Sequence, residues 1–114
     1  MGIVYEFLAD GVYTWFYQAE DTIENLYNTT NYTITVDTTL PTIDFIPLTL
    51  DNNTYISQDY IYLNTSVVET NFANITFKLF DGEGQVYSYT FSTSKRDINW
   101  TNMGDDEYFY NVTV

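Results

Sequence analysis

Apolar and polar residues alternate along most of the chain, and a period of two predicts strands. In "NYTITV" the residues Tyr32, Ile34 and Val36 share one face and Asn31, Thr33 and Thr35 the other. "NITFKLF" places Ile75, Phe77 and Leu79 inward and Asn74, Thr76 and Lys78 outward. The same reading buries Tyr87, Tyr89 and Phe91 in "VYSYTFS", and Tyr108, Tyr110, Val112 and Val114 in "EYFYNVTV". In "YIYLNTSV" it buries Ile61, Leu63 and Val67. Each is a half-buried antiparallel strand with one wet face. Turn signals at "LDNNT", "DGEG" and "NMGDDE" separate them, a spacing that implies a sandwich or barrel. No segment has a helical period. "AEDTIENLYN" from Ala19 reads as a loop between two strands, with room for one short turn.

The pattern also repeats. "LADGVYTWFYQAED" from Leu8 and "MGDDEYFYNVTV" from Met103 overlie at an offset of 95 residues, matching Leu8 to Met103, Asp10 to Asp105 and Tyr13 to Tyr108. That offset is close to the length of one immunoglobulin-type sandwich, about 100 residues. It divides the chain into 1–37, the last two strands of one domain (about Val12 to Ala19 and Asn31 to Val36), and 38–114, a second domain whose own last strand is missing. Pro41 and Pro47 punctuate the handover between them.

"DGVYTWFYQAED" followed by "YTITVDTTLPTIDF" resembles the tandem immunoglobulin-like repeats of prokaryotic, and especially archaeal, cell-surface and filament proteins. There a D-G-x-Y-x-Y strand leads to a last strand ending V-D-x-T-x-P, after which the next domain begins. The resemblance implies an all-β, immunoglobulin-like antiparallel β-sandwich lacking its own last strand and preceded by the last two strands of a neighbouring repeat. It also makes Tyr13 and Tyr108 the structural tyrosines that hydrogen-bond back across the turn before the penultimate strand. Asp106 and Glu107 stand where the first copy has Gly11 and Val12, and since Asp tolerates positive φ less well than Gly, the second turn is expected to differ.

An incomplete sandwich exposes unpaired N–H and C=O groups and an apolar groove that a donated strand can close. The expected donor is "NYTITVDT" through Tyr32, Ile34 and Val36, either from another copy or from an adjacent repeat of a longer tandem chain. Both give head-to-tail contacts that propagate into a stalk, layer or filament. The partners expected are therefore copies of the chain itself or adjacent repeats.

Composition narrows the setting. The formal net charge is −13, from 16 acids against Lys78, Lys95 and Arg96, so nucleic acid and anionic lipid are disfavoured as partners. No apolar run approaches the roughly 20 residues of a membrane span, and no membrane insertion is expected. "MGIVYEFLAD" has neither the basic start nor the cleavage site of a signal peptide, so an export signal is expected outside this sequence. The absence of Cys leaves the redox compartment open.

Seven of the 11 Asn begin N-x-S/T: Asn28, Asn31, Asn52, Asn64, Asn74, Asn99 and Asn111, where composition alone gives about two. N-linked glycans on an extracellular protein are the reading taken. The alternation puts Asn31, Asn64, Asn74, Asn99 and Asn111 on solvent faces and Asn28 and Asn52 in turns. The alternative is that Thr-rich strands with outward Asn generate the motif automatically, because residues two apart share a face.

With no His and no Cys, the commonest general base, thiol nucleophiles and zinc sites are excluded, and no enzyme or cofactor is expected. Calcium is the alternative, through Asp81 and Glu83 of "DGEG" and Asp105 and Asp106 of "GDDE", or through Asp10, Asp37 and Asp44; a solvated acidic surface explains the same residues. An intramolecular Lys–Asn cross-link needs a buried Lys, and Lys78 faces out. The rival function is an adhesin or carbohydrate-binding module, possible through outward Tyr60 and Tyr62.

Overall fold

The computed structural model describes residues 4, 6 and 9–114. The Leu8 half of the repeat match lies outside them. Among the described residues all regular structure is β, and every ladder is antiparallel. The chain forms two compact units, 1–39 and 40–114.

Unit 1 is a pair of two-stranded ladders. β1 (Gly11–Trp15) pairs with β4 (Tyr32–Val36), and β2 (Gln18–Glu20) pairs with β3 (Leu26–Asn28). The single strand expected from Val12 to Ala19 is thus broken at Phe16 and Tyr17, where Thr29 ties the chain across: its N–H donates to the Tyr17 carbonyl and its hydroxyl accepts from the Tyr17 N–H. The stretch from Ala19, expected as a loop, is instead a hairpin: Ala19 and Glu20 end β2 and Leu26, Tyr27 and Asn28 form β3, so Asn28 ends a strand rather than lying in a turn, and only 21–25 is loop. Asp21 organises it by accepting from the Ile23 and Asn25 N–H groups and from the Asn25 amide.

Unit 2 holds two three-stranded sheets. One runs β5 (Thr42–Phe45), β6 (Tyr60–Val68), β9 (Asp97–Thr101); the other runs β10 (Phe109–Thr113), β7 (Ile75–Asp81), β8 (Gly84–Phe91). Their inward residues meet in one core: Ile61 and Leu63 from β6, Ile75, Phe77 and Leu79 from β7, Ile98 and Trp100 from β9. β6 and β7, central in their sheets, carry the alternation most cleanly, and Leu63, Ile75, Phe77 and Leu79 have no exposed surface. Thr65 continues the inward row of β6. It is tolerated there because its hydroxyl donates to the Arg96 carbonyl at 2.7 Å, satisfying a polar group that burial would otherwise strand.

Turn chemistry closes the elements. In "DGEG" the Asp81 carboxylate accepts from the Glu83 and Gly84 N–H groups, and Gly84 takes φ +141°, a conformation open to glycine. At Ile46–Thr49 the Thr49 N–H donates to the Ile46 carbonyl across Pro47 and Leu48, with Leu48 at φ 84°. That is a type II arrangement with proline at its favoured position.

Candidate assembly edge and glycosylation sites

The two copies of the repeat share one local hydrogen bond. The Tyr13 hydroxyl donates to the Ala9 carbonyl at 2.8 Å, and the Tyr108 hydroxyl donates to the Gly104 carbonyl at 3.2 Å; both reach back four residues. Asp106 in place of Gly11 does not alter this. Gly11 has no positive φ, and a Cβ there would meet the Tyr13 ring at an ordinary 3.6 Å, so glycine's freedom is not the cause of the difference that is seen: Gly11, Val12 and Tyr13 lie in β1, whereas Asp106, Glu107 and Tyr108 precede β10.

What differs is the neighbour. β1 is paired with β4 along its length, setting Val12 opposite Thr35, Tyr13 opposite Ile34, Thr14 opposite Thr33 and Trp15 opposite Tyr32. β10 is paired with β7 on one side and stands at the edge of its sheet on the other. The inward face of β10 is seated nonetheless. Tyr108, Tyr110 and Val112 pack against the core, and the Tyr110 hydroxyl donates to the Leu50 carbonyl at 2.7 Å. Burial, and then the nearby Asp51 charge, push the Tyr110 phenol above its usual range.

Unit 1 has the reverse condition. Its β1–β4 ladder gathers Tyr13, Trp15, Tyr32, Ile34 and Val36 on one face, with Trp15 and Tyr32 stacked at 4.9 Å. Yet Tyr32 remains 54% and Ile34 41% exposed, and no described residue of this unit is buried. The alternation marks these side chains as inward, but among the described residues this two-stranded ladder has no second layer to cover them.

The exit from β4 is clamped. Asp10 accepts from the Thr38 N–H (2.9 Å) and the Thr38 hydroxyl (2.7 Å) through one oxygen, and from the Thr39 hydroxyl (2.8 Å) through the other. The Thr38 hydroxyl, then the Thr38 amide, then the Thr39 hydroxyl hold the Asp10 carboxyl below its ordinary value. Sequence reasoning places Asp10 among calcium candidates and misses this role, because no sequence pattern links it to partners 28 and 29 residues along the chain.

Among the described residues no three acidic side chains converge as a metal site. Asp81 serves its own turn, and Asp106 accepts from the Glu107 N–H. Glu83 and Asp105 are exposed.

Six of the seven sequon asparagines are exposed: Asn28, Asn31, Asn52, Asn74, Asn99 and Asn111. Asn64 is half-buried, and its amide donates to the Pro47 carbonyl at 3.3 Å, so it is not the open solvent-facing position the alternation indicates. The loop carrying Pro47 folds over β6 here, and Thr49 bonds both the N–H and the carbonyl of Asn64. Asn99 lies on the rim of an open cleft of about 580 Å³ between β8 and β9, which Tyr87, Tyr89 and Trp100 also line. Tyr87 and Tyr89 stack at 5.9 Å but remain 37% and 42% exposed. Their pairing with Leu79 and Phe77 puts them on the core side of β8 as expected, but β8 is an edge strand and the open cleft separates them from β9. Tyr60 is exposed beside a second depression lined by Leu48, Leu50, Gln58 and Tyr62, whereas Tyr62 donates its hydroxyl to Asp97 at 3.3 Å and is half-buried.

No family model, no curated protein and no solved structure matches this chain.

Proposed function

We propose that the chain is a structural repeat of an extracellular, N-glycosylated surface stalk, layer or filament, an immunoglobulin-like sandwich that joins its neighbours head to tail and is completed by a strand from the next unit. Its work is mechanical: spacing, shielding and linking. One observation carries the reading. The chain holds a strand ladder whose apolar Tyr32 and Ile34 stay exposed in one unit and a packed sandwich with an open edge in the other, and Tyr13 of β1 and Tyr108 just before β10 make the same hydrogen bond.

The sequon set supports the glycan part of the proposal. Six of its asparagines lie exposed, where an oligosaccharide meets no packed side chain. A coat rooted on them would also shield exposed aromatics such as Phe16 and Phe109.

The test is the mass of the natural material in strong denaturant, before and after chemical removal of glycans, together with its mass in native buffer. Loss of mass on deglycosylation and a native mass of several units are expected. An unglycosylated chain would remove the coat; a native particle that stays a monomer at every concentration would remove the assembly.

A further inference from the structure

We infer that the open edge of β10 takes β4 of a second copy of this chain, antiparallel and in the register β4 holds on β1, with Asp105 closing on the donor's Thr38 and Thr39. This rests on the head-to-tail assembly proposed above and specifies its seat.

The offset of the repeat carries β1 onto residues 106–110, the approach to β10 and its first two residues: Asp10 becomes Asp105, Val12 Glu107, Tyr13 Tyr108, Thr14 Phe109 and Trp15 Tyr110. Unit 1 then displays the partner that a strand of this kind accepts. Carrying its pairing across sets Thr35 opposite Glu107, Ile34 opposite Tyr108, Thr33 opposite Phe109 and Tyr32 opposite Tyr110. In that register Ile34 and Tyr32 fall on the side of Tyr108 and Tyr110, which pack on the core, while Thr33 and Thr35 stay outside with exposed Phe109 and Glu107. A slip of one residue would turn the apolar pair outward and carry Thr38 past Asp105.

The exchange has a driving force. β4 gives up main-chain bonds to β1 and makes bonds of the same kind along residues 106–110, of which Phe109 and Tyr110 already lie in β10, so the ladder term at best cancels. Burial does not cancel. On β1 the apolar face of β4 is open to water, whereas beside β10 it meets a formed core. The incoming strand is taken from another molecule, which the mixed-chain experiment below tests, and each exchange then leaves a further β10 to be filled. Asp10 and Asp105 compete for one threonine pair, which gives the two substitutions opposite signs.

The chain has no native cysteine, so two single-cysteine chains of distinguishable mass can be mixed and mildly oxidised. Thr33→Cys with Phe109→Cys, and Thr35→Cys with Glu107→Cys, are expected to give mixed dimers about tenfold above the off-register pair Thr33→Cys with Glu107→Cys, because only directly opposite residues meet disulfide geometry. All four positions are exposed, so folding is not at issue. Without cysteines, Asp105→Ala is expected to weaken association about tenfold and Asp10→Ala to strengthen it. Association with off-register dimers in excess, or with both alanine variants unchanged, overturns this seat while leaving the assembly standing. No association between copies at any concentration overturns the assembly and the seat together.

Discussion

At the scale of the residue, hydroxyl-to-carbonyl bonds and carboxylate clamps do most of the specific work. Tyr110→Phe removes a 2.7 Å bond to the Leu50 carbonyl and leaves that acceptor half-buried, so a loss of about 1 kcal/mol is expected in urea unfolding with the slope unchanged. The two lowered carboxyls, Asp10 and Asp21, give acid sensitivity of a definite sign. Threonine hydroxyl and amide bonds, with the Thr38 hydroxyl first, lower Asp10; the Asn25 side chain, then the Asn25 and Ile23 amides, lower Asp21. A folded-state value below the ordinary 3.8 means that the stabilisation is present above 3.8 and is lost as pH falls through the folded value. Carboxyl NMR titration is expected to place both midpoints below 3.8, with faster exchange of the Thr38 amide once Asp10 is protonated. The correspondence of Tyr13 and Tyr108 was legible in the sequence because a repeat preserves local spacing, while their hydrogen bond was implied by the resemblance alone. The Asp10 clamp was not, because its partners lie 28 and 29 residues away and nothing in the alternation links them.

At the scale of the element, what counts is whether a strand is central or at an edge. Leu63 on central β6 has no exposed surface, and Leu63→Ala is expected to cost about 3 kcal/mol, read as a fall in the unfolding midpoint. Tyr89 has the same inward parity on edge strand β8 and keeps 42% of its surface, so Tyr89→Ala is expected to cost less than half as much in the same experiment. Alternation in the sequence found both faces correctly, since parity is a local property. It could not tell the core of β7 from the half-open face of β8, because coverage depends on which strands of the opposite sheet lie above. The break between β1 and β2 was hidden for a related reason: Phe16 and Tyr17 continue an apolar run, and only the bonds to Thr29 divide it.

At the scale of the whole molecule, charge opposes association. Each chain brings a formal −13, so the strand exchange proposed above must overcome repulsion between copies. Screening shortens that repulsion to roughly 10 Å at 0.1 M salt, and association is expected to tighten as salt rises from low values. Sedimentation at several salt concentrations checks this; weaker association with added salt would point to attractive ion pairs instead.

The placing of the two tryptophans makes the molecule its own optical instrument. Trp100 sits 3% exposed in the core of unit 2, while Trp15 lies on β1 in unit 1, 42% exposed and stacked on Tyr32 of β4. Emission from Trp100 therefore follows the integrity of the sandwich, and emission from Trp15 follows whether β4 is still at home. With each indole replaced in turn by phenylalanine, a single fluorimeter separates melting of the sandwich from departure of the strand, two events that a mass measurement sees only as one.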